Sequence, residues 1–364
     1  MRMQTTFNPA LHGLRGVAAM AVLFFHWSQF YPNILNKLNF EFMGQDWDFS
    51  LWFDMGGFGV SLFFVLSGYL LGGQFIQKKL SKENIIRFWR RRLLRIYPAF
   101  WFQLVILLII GMFIGGYNLN TWGDAIRHML LWVNMPPWMT PPLNGVWWTL
   151  PIELSFYLFL PLLIFIQRKI GIVKTILFCF LVTIAWRALV MQLYEGSYFV
   201  TVLPVLDALP GSLATFSAGM AIVFAPKIEP KFKKSLLALS IIAFYILAKI
   251  INANVDAYWA GHWLLIIFNP VMAIVLATIL YTVLSPFYGI RFLSSKAFIW
   301  LGEVSFGIYL WHFPILNLIQ KFWPELQGGS LQNIGALLIC LIATFAIAHF
   351  SYRCIEQPIM HWRR

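Results

Sequence analysis

Apolar residues along this chain of 364 residues gather into long runs that are separated by short polar segments. A helix needs about twenty mainly apolar residues to cross the hydrocarbon core of a bilayer. Runs of that length predict ten membrane-spanning helices, at residues 10–31, 55–76, 95–117, 146–167, 171–192, 203–225, 235–252, 259–284, 297–319 and 331–352. The sequence therefore predicts an all-α, polytopic integral membrane protein in which one membrane domain occupies residues 1–364.

Composition narrows the class of protein further. Hydrophobic residues make up 60% of the chain and charged residues only 11%, which excludes an ordinary soluble domain. The three cysteines, Cys179, Cys340 and Cys354, lie in or beside apolar runs without CxxC spacing, so neither a disulfide framework nor a metal site is expected. The net charge of +13 would suit a nucleic-acid partner in a soluble protein. In a membrane protein the distribution of charge matters more, and we expect the lipid bilayer as the partner and no nucleic acid.

The basic residues are distributed unequally between the two sides of the membrane. With the N-terminus in the cytoplasm, the cytoplasmic segments hold 21 of the 27 lysines and arginines and the outer segments hold three, Lys37, Arg127 and Lys321. Cytoplasmic loops of membrane proteins carry an excess of Lys and Arg. This distribution predicts an even number of spans with both termini in the cytoplasm.

An arginine and two histidines, His12, Arg15 and His26, occupy the first predicted span, LHGLRGVAAMAVLFFH. Arg15 and His26 are eleven residues apart, which is about three helical turns, so both side chains project from one face. Their heights differ by about 16 Å, which places a positive charge near the cytoplasmic boundary and an imidazole near the middle of the bilayer. Ionisable groups at such depths are costly and mark functional sites by default.

The segment RFWRRRLLRIYP opens the third predicted span with five arginines. Arg87, Arg90 and Arg91 are typical of a cluster that obeys the inside-positive rule. Arg92 and Arg95 share a helix face, and since Pro98 and aromatic residues follow at once, we expect them at the start of the helix. Together with Arg15 they would bind an anion that carries several phosphates.

Glu153 in NGVWWTLPIELSFY lies about a turn and a half below Trp147 and Trp148, which are expected in the interfacial aromatic belt. Glu153 is either the structural partner of a buried arginine or a residue that serves catalysis or binds the acceptor. From the sequence, we expect Glu153 at the same depth as the imidazoles of His26 and His312, and closer to the outer side of the membrane than the arginines.

The ninth predicted span places Ser305, Tyr309 and His312 in one polar stripe that ends before Pro314. His312 is either a hydrogen-bonded packing residue or part of the chemistry. In the second span, FFVLSGYLL adds Ser67 and Tyr69, in a stretch whose small residues also favour close helix packing.

Five motifs, taken in order, resemble the acyltransferase family 3 membrane O-acyltransferases. They are the ten-residue spacing between Arg15 and His26, FFVLSGYLL, RRLLRIYP, WWTLPIE with Glu153, and FGIYLWHFP. Each motif is weak alone, but together they cover most of the chain, from residue 11 to about residue 314. The family consists of bacterial inner-membrane proteins with ten-helix domains that modify surface sugars, and the resemblance implies that location for this chain.

The resemblance also implies a reaction. The donor would be an acyl-CoA, usually acetyl-CoA, on the cytoplasmic side, and the acceptor a hydroxyl of a glycan or lipid-linked saccharide outside. The family's essential histidine and arginine correspond to His26 and Arg15, and its Arg-x-x-Arg pair corresponds to Arg92 and Arg95. Many relatives carry a further periplasmic hydrolase-like domain. This chain ends at HWRR, so we expect transfer to be completed within the membrane domain or by a separate protein.

The residues leave several roles open. His26 could take a proton from the acceptor hydroxyl or carry the acyl group itself. Glu153 could orient an imidazole or hold a sugar hydroxyl, and the arginines would clamp phosphates. The residues expected to contact the substrate are Glu153, Tyr309, His312, Ser67 and Tyr69.

Two other functions fit the same buried charges. A secondary transporter of an anionic or sugar substrate would use them as a transport pathway and proton relay. A catalytically silent membrane sensor built on this domain is the third reading. Outer aromatic segments such as WVNMPPWMTPPLNGVWW would stack on sugar rings, anchor the chain at the interface, or do both.

Overall fold

The computed structural model describes residues 8–76, 78–136, 139–226, 228–284 and 288–361. Arg2, Lys227, Arg363 and Arg364, which contribute to the charge distribution, lie outside the described residues. The helices are α1 Pro9–Phe30, α2 Leu51–Asp54, α3 Gly59–Ile76, α4 Lys82–Ile114, α5 Trp122–Met129, α6 Leu150–Ile170, α7 Ile172–Leu193, α8 Phe199–Leu206, α9 Leu209–Ala221, α10 Pro230–Asn252, α11 Val255–Trp259, α12 Leu264–Val283, α13 Lys296–Glu303, α14 Ser305–Phe322, α15 Ser330–Ser351 and α16 Gln357–His361. Short 3-10 segments occupy Pro32–Lys37, Met55–Phe58, Gly145–Thr149, Ile222–Phe224, Tyr288–Ser294 and Pro324–Gln327, and a π-helical turn occupies Tyr352–Glu356.

The described helices confirm a polytopic, all-α membrane protein. Eight of them, counted with the short segments continuous with them, are long and apolar enough to cross a bilayer. Two further bent pairs, α8 with α9 and α13 with α14, raise the number to as many as ten. All ten correspond to the runs that the hydrophobic pattern predicts.

The two bent spans differ from the straight helices expected from the sequence. The axes of α8 and α9 meet at 62°, and those of α13 and α14 meet at 70°. Pro204 and Pro210 flank the first break, where neither proline can donate a backbone hydrogen bond. At the second break, Val304 has φ −88° and ψ 4°, and the hydroxyl of Ser305 donates to the carbonyl of Gly302.

Helix α4 is longer than expected, since it begins at Lys82 rather than at residue 95. Its 33 residues extend about 50 Å, against about 30 Å of hydrocarbon. The placement of Arg92 and Arg95 at the start of the helix is therefore wrong, because about three turns precede them. Ser81 begins the helix by accepting a hydrogen bond from the backbone amide of Asn84.

Neighbouring helices run in the directions that ten alternating passes require. Arg15 and His26 of α1 contact Ser305 and His312 of α14 in the same order, so the first and ninth spans are parallel. Phe64 of α3 stacks on Phe216 of α9, and a Cβ atom at Gly72 would lie 2.7 Å from the side chain of Met220. The second and sixth spans are therefore also parallel.

The segment between the first two spans contains a hairpin that the sequence analysis did not predict. Strands β1 Asn39–Phe42 and β2 Gln45–Asp48 are antiparallel, with Phe40 paired to Trp47. Met43 and Gly44 form the turn with φ values of 54° and 68°, the conformation that two-residue hairpins require.

Candidate functional site

Close contacts of α1 with α13 and with the 3-10 segment Tyr288–Ser294 position the Arg15 end of the site. A Cβ atom added to Gly302 would lie 1.9 Å from the carbonyl oxygen of His12, and one added to Gly13 would lie 2.0 Å from that of Leu293. These glycines therefore allow the backbones to touch. The guanidinium of Arg15 then reaches the start of α14, where Nη2 donates to the hydroxyl of Ser305 at 3.3 Å.

A cavity that is partly open to its surroundings lies beside this contact. Its walls come from α1, α3, α4, α6 and α14, and hydrophobic side chains such as Phe63 and Ile96 form much of its surface. Its polar lining consists of Arg15, Arg95, Thr149, Glu153, Tyr157, Ser305 and Tyr309. The cavity thus joins two guanidinium groups and one carboxylate in a mainly apolar enclosure.

Glu153 shares this cavity with Arg15 and Arg95. The sequence grouped Glu153 with the histidines, and the structure corrects that grouping. Its carboxylate accepts hydrogen bonds from the hydroxyl of Tyr157, one turn further along α6, and from that of Ser67 at 3.3 Å. Glu153 is therefore held by α3 and by its own helix.

The arginines of α4 separate into two groups. Arg87, Arg90 and Arg91 are exposed, whereas Arg92 and Arg95 are partly buried. Only Arg95 of this pair lines the described cavity; the guanidinium of Arg92 lies 5.8 Å from the ring centre of Phe88.

A pair of histidines lies further along α1 and α14. Nδ1 of His26 is 3.0 Å from Nε2 of His312, and their ring centres are 5.1 Å apart. His312 is fully buried, whereas His26 is partly exposed. Tyr309 connects the two parts of the site, since it lines the cavity and its ring centre is 6.1 Å from that of His312.

Tyr309 and Tyr69, which were also expected to contact the substrate, lie in different surroundings. The hydroxyl of Tyr309 donates to the carbonyl of Val146 and contacts the hydroxyl of Thr149, both at 2.6 Å. Tyr69 lies outside the cavity lining and packs in the hydrophobic cluster formed largely by α1, α3, α8 and α12.

A buried polar network behind His312 was missed by the sequence analysis. Pro314 lacks the amide hydrogen that would satisfy the carbonyl of Leu310 within α14. Gln103 and Asn144 donate to that carbonyl at 2.6 and 2.9 Å. Trp147 donates to Gln103 at 2.8 Å and is fully buried, so its predicted place in an interfacial belt is wrong. Pro314 could have indicated this network from the sequence, because a proline within a helix leaves the carbonyl one turn earlier without its usual hydrogen-bond donor.

His128 of α5 holds the adjoining loop. Its Nδ1 lies 2.8 Å from the carbonyl of Asp124, and its Nε2 accepts a hydrogen bond from the backbone amide of Leu143 at 3.1 Å. Burial of the ring lowers the pKa of His128 below its usual value of 6.5. The neutral ring of His128 therefore holds the backbone of Leu143, the residue before Asn144, in place.

Fold and site together define a multi-pass membrane protein in which a cavity lined by two guanidinium groups lies near a pair of imidazoles. The chain belongs to the acyltransferase domain family, whose model matches residues 8–353. This match confirms the resemblance on which the sequence analysis relied.

Three curated relatives are similar over nearly the whole chain. The peptidoglycan O-acetyltransferase OatA of Listeria monocytogenes is 28% identical over 388 residues, which cover 98% of this chain and 56% of the relative. The O-acetyltransferase OatA of Staphylococcus aureus is 26% identical over 377 residues, 97% of this chain and 57% of the relative. The putative peptidoglycan O-acetyltransferase YrhL of Bacillus subtilis is 28% identical over 391 residues, 97% of this chain and 55% of the relative. The chain thus spans about half the length of these relatives, and no solved structure matches it.

Proposed function

We propose that this protein is a membrane O-acyltransferase of the bacterial inner membrane. It moves an acyl group, in the first instance acetyl, from acyl-CoA on the cytoplasmic side to a hydroxyl of a cell-envelope carbohydrate outside. The observation that carries the proposal is the arrangement along α14. Arg15 contacts the start of this helix and His26 contacts it two turns later, and this order supports an anion site at one end of α14 with an imidazole further along it.

The cavity suits the donor in its charge and its shape. Coenzyme A carries several phosphates, which Arg95 and Arg15 can bind through charge-assisted hydrogen bonds. Glu153 would repel phosphates, so the uncharged pantetheine arm and the thioester belong on its side of the cavity. The apolar walls from α3 and α4 suit that arm.

His26 supplies the chemistry in this proposal. A neutral imidazole removes the proton of the acceptor hydroxyl while the hydroxyl oxygen bonds to the thioester carbon. The carbon–sulfur bond breaks, and the sulfur leaves as a thiolate that regains the proton from the imidazolium. The products are the acyl ester and free coenzyme A.

The acceptor is proposed from the relatives. Two of them are named as peptidoglycan O-acetyltransferases, one of these as putative, so a cell-wall glycan is the first acceptor to try. Aromatic side chains beside His26 suit a sugar ring, since Phe313 and Phe25 both meet the imidazole edge to face. Whether a separate protein completes the transfer is part of the same test.

The decisive experiment follows the release of free thiol from acetyl-CoA by the purified protein in detergent, with and without cell-wall glycan. We expect glycan-stimulated release that the His26→Ala variant loses, because it lacks the base. His349→Ala is the matched control, since His349 is an exposed histidine of α15 and contacts Trp300.

Normal turnover by folded His26→Ala would overturn the assignment of the base. A transporter built on the same charges would bind and move its substrate without thioester-dependent release of thiol. Absence of release with acetyl-CoA and a panel of longer acyl-CoA donors would therefore reject the acyltransferase.

A further inference from the structure

We propose that His312 is a positioning residue, which fixes the proton of His26 on Nδ1 and leaves Nε2 of His26 as the reactive atom. This inference rests on the proposed function, in which His26 is the base. From the sequence, His312 was expected to contact the substrate, and Glu153 was a candidate for orienting an imidazole. Here His312 orients the imidazole of His26, and Glu153 does not.

The proton on His312 is located by its backbone neighbour. Nδ1 of His312 lies 2.9 Å from the carbonyl oxygen of Ile308, one turn earlier in α14. A carbonyl oxygen only accepts hydrogen bonds, so Nδ1 carries the hydrogen. In a neutral imidazole the other nitrogen is then bare, and Nε2 of His312 is an acceptor.

That acceptor determines the proton of His26. Nδ1 of His26 lies 3.0 Å from Nε2 of His312 and 3.0 Å from the carbonyl oxygen of Val22. Both neighbours accept, so Nδ1 of His26 is the donor. Its Nε2 is then unprotonated, which is the state that a general base needs.

The burial of the two rings fits these roles. His312 has no exposed surface, so water cannot replace its contacts, and its ring is held by α14 itself. His26 is partly exposed and can meet an acceptor hydroxyl through Nε2. Among the described residues, the hydrogen bonds of the Glu153 carboxylate come from Tyr157 and Ser67 rather than from either imidazole, so His312 and not Glu153 is the neighbour that orients His26.

His312 also stabilises His26 after His26 has accepted the proton. When Nε2 of His26 takes the proton, the ring becomes positive and its Nδ1 hydrogen bond to His312 strengthens. The aspartate of a serine-protease triad supports its histidine in the same way. A neutral imidazole gives this support without the cost of a second buried charge. If His26 carries the acyl group instead, the same bare Nε2 is the nucleophile.

Two variants of similar size separate positioning from packing. His312→Gln keeps a side-chain oxygen that can accept from His26, whereas His312→Leu fills the space without an acceptor. We expect the leucine variant to lower kcat about 100-fold with an unchanged KM for acyl-CoA, and the glutamine variant to recover at least about a tenth of the wild-type kcat. His349→Leu is the control and should leave both constants unchanged. Equal loss in the two variants would overturn the proposal, since it would indicate packing alone, and so would a wild-type kcat for His312→Leu.

The tautomer itself can be measured without turnover. Histidine labelled with nitrogen-15 in the ring, in protein reconstituted into lipid nanodiscs, reports which nitrogen carries hydrogen, and His26→Ala identifies the signals of His26. We expect a protonated Nδ1 and a bare Nε2. A proton on Nε2 would overturn the inference and leave the acyltransferase proposal standing. The expected tautomer in a protein that releases no thiol would instead reject the proposed function alone.

Discussion

Five arginines within nine residues of α4 show how position decides the role of one side chain. The three exposed ones can interact with water and lipid headgroups, so the membrane charge rule is enough to explain them. Arg95 turns inward to the cavity that it shares with Arg15 and Glu153. A guanidinium there is desolvated in part and gains more from a phosphate than an exposed one does.

Replacing Arg95 by alanine should therefore weaken donor binding. We expect the dissociation constant for acyl-CoA to rise by about 10- to 100-fold, which corresponds to one or two charge-assisted hydrogen bonds. Equilibrium binding to the detergent-solubilised protein at low and high salt measures the effect. The wild type should lose affinity with salt more steeply than Arg95→Ala.

Arg91→Ala is the matched control, because it removes an exposed arginine of the same helix. Equal weakening by both substitutions would show that diffuse positive charge, rather than the cavity, attracts the donor.

The shared helix face of Arg15 and His26 was predictable, because it depends only on local spacing. Arg15 and His26 share a helix stripe, and both indeed contact α14. The bond between His26 and His312 could not be predicted, since 286 residues separate them and no local spacing encodes such a contact. The hydrogen bond from Tyr157 to Glu153 could have been predicted, because the two residues are four positions apart on α6.

At the scale of elements, the contact between α1 and α13 depends on the absence of side chains. Gly302→Ala should destabilise the protein by about 1–3 kcal/mol, because the new methyl group would meet the backbone of His12. The thermal unfolding temperature in detergent should fall accordingly, and donor affinity should fall with it as Arg15 shifts.

Gly335→Ala provides the comparison within α15. A Cβ atom there would be 3.7 Å from the side chain of Leu326, an ordinary contact, and alanine favours helix. Its unfolding temperature should stay level or rise. A fall as large as that of Gly302→Ala would refute the argument from close packing.

The loop pinned by His128 should respond to pH. Its pKa in the folded protein is below 6.5, so the unfolded chain binds more protons at mildly acidic pH. The stabilisation is present in full above pH 6.5 and is lost as the pH falls below that value. Protonation also removes the acceptor for the amide of Leu143.

His128→Gln tests this pH dependence, because an amide oxygen can accept from Leu143 without titrating. Unfolding temperatures measured from pH 8 to pH 5 should decline less steeply for the variant than for the wild type. Parallel curves would assign the acid sensitivity to other groups.

Whole elements were predictable to the extent that hydrophobic length determines them. The ten apolar runs correspond to the observed spans, because a bilayer demands a minimum apolar length. Length does not encode where a span bends, so the breaks at Val304 and between Pro204 and Pro210 were missed. The long N-terminal extension of α4 was missed because its polar residues fail the apolar criterion although they favour helix.

At the scale of the whole molecule, the topology is the main prediction still to be tested. Cysteines introduced as Glu195→Cys and Asp256→Cys should react with a membrane-impermeant maleimide added to intact cells. Those introduced as Lys82→Cys and Lys234→Cys should react only after permeabilisation. All four positions are exposed, and the exposed native Cys354 is first replaced by serine. Labelling of a lysine position in intact cells would contradict the assignment of both termini to the cytoplasm.

The pairing of the first span with the ninth has a consequence for biosynthesis. Ribosomes add roughly 5–20 residues per second, so His312 emerges about 15 to 60 s after His26. For that time the first span enters the membrane with an arginine and a histidine but without the helix that receives them. An arginine within a membrane span is costly when it lacks partners, so we expect the nascent chain to use a temporary partner, from the translocon, lipid headgroups or its own later spans. Chains interrupted before residue 305 should accordingly be substrates for membrane quality control.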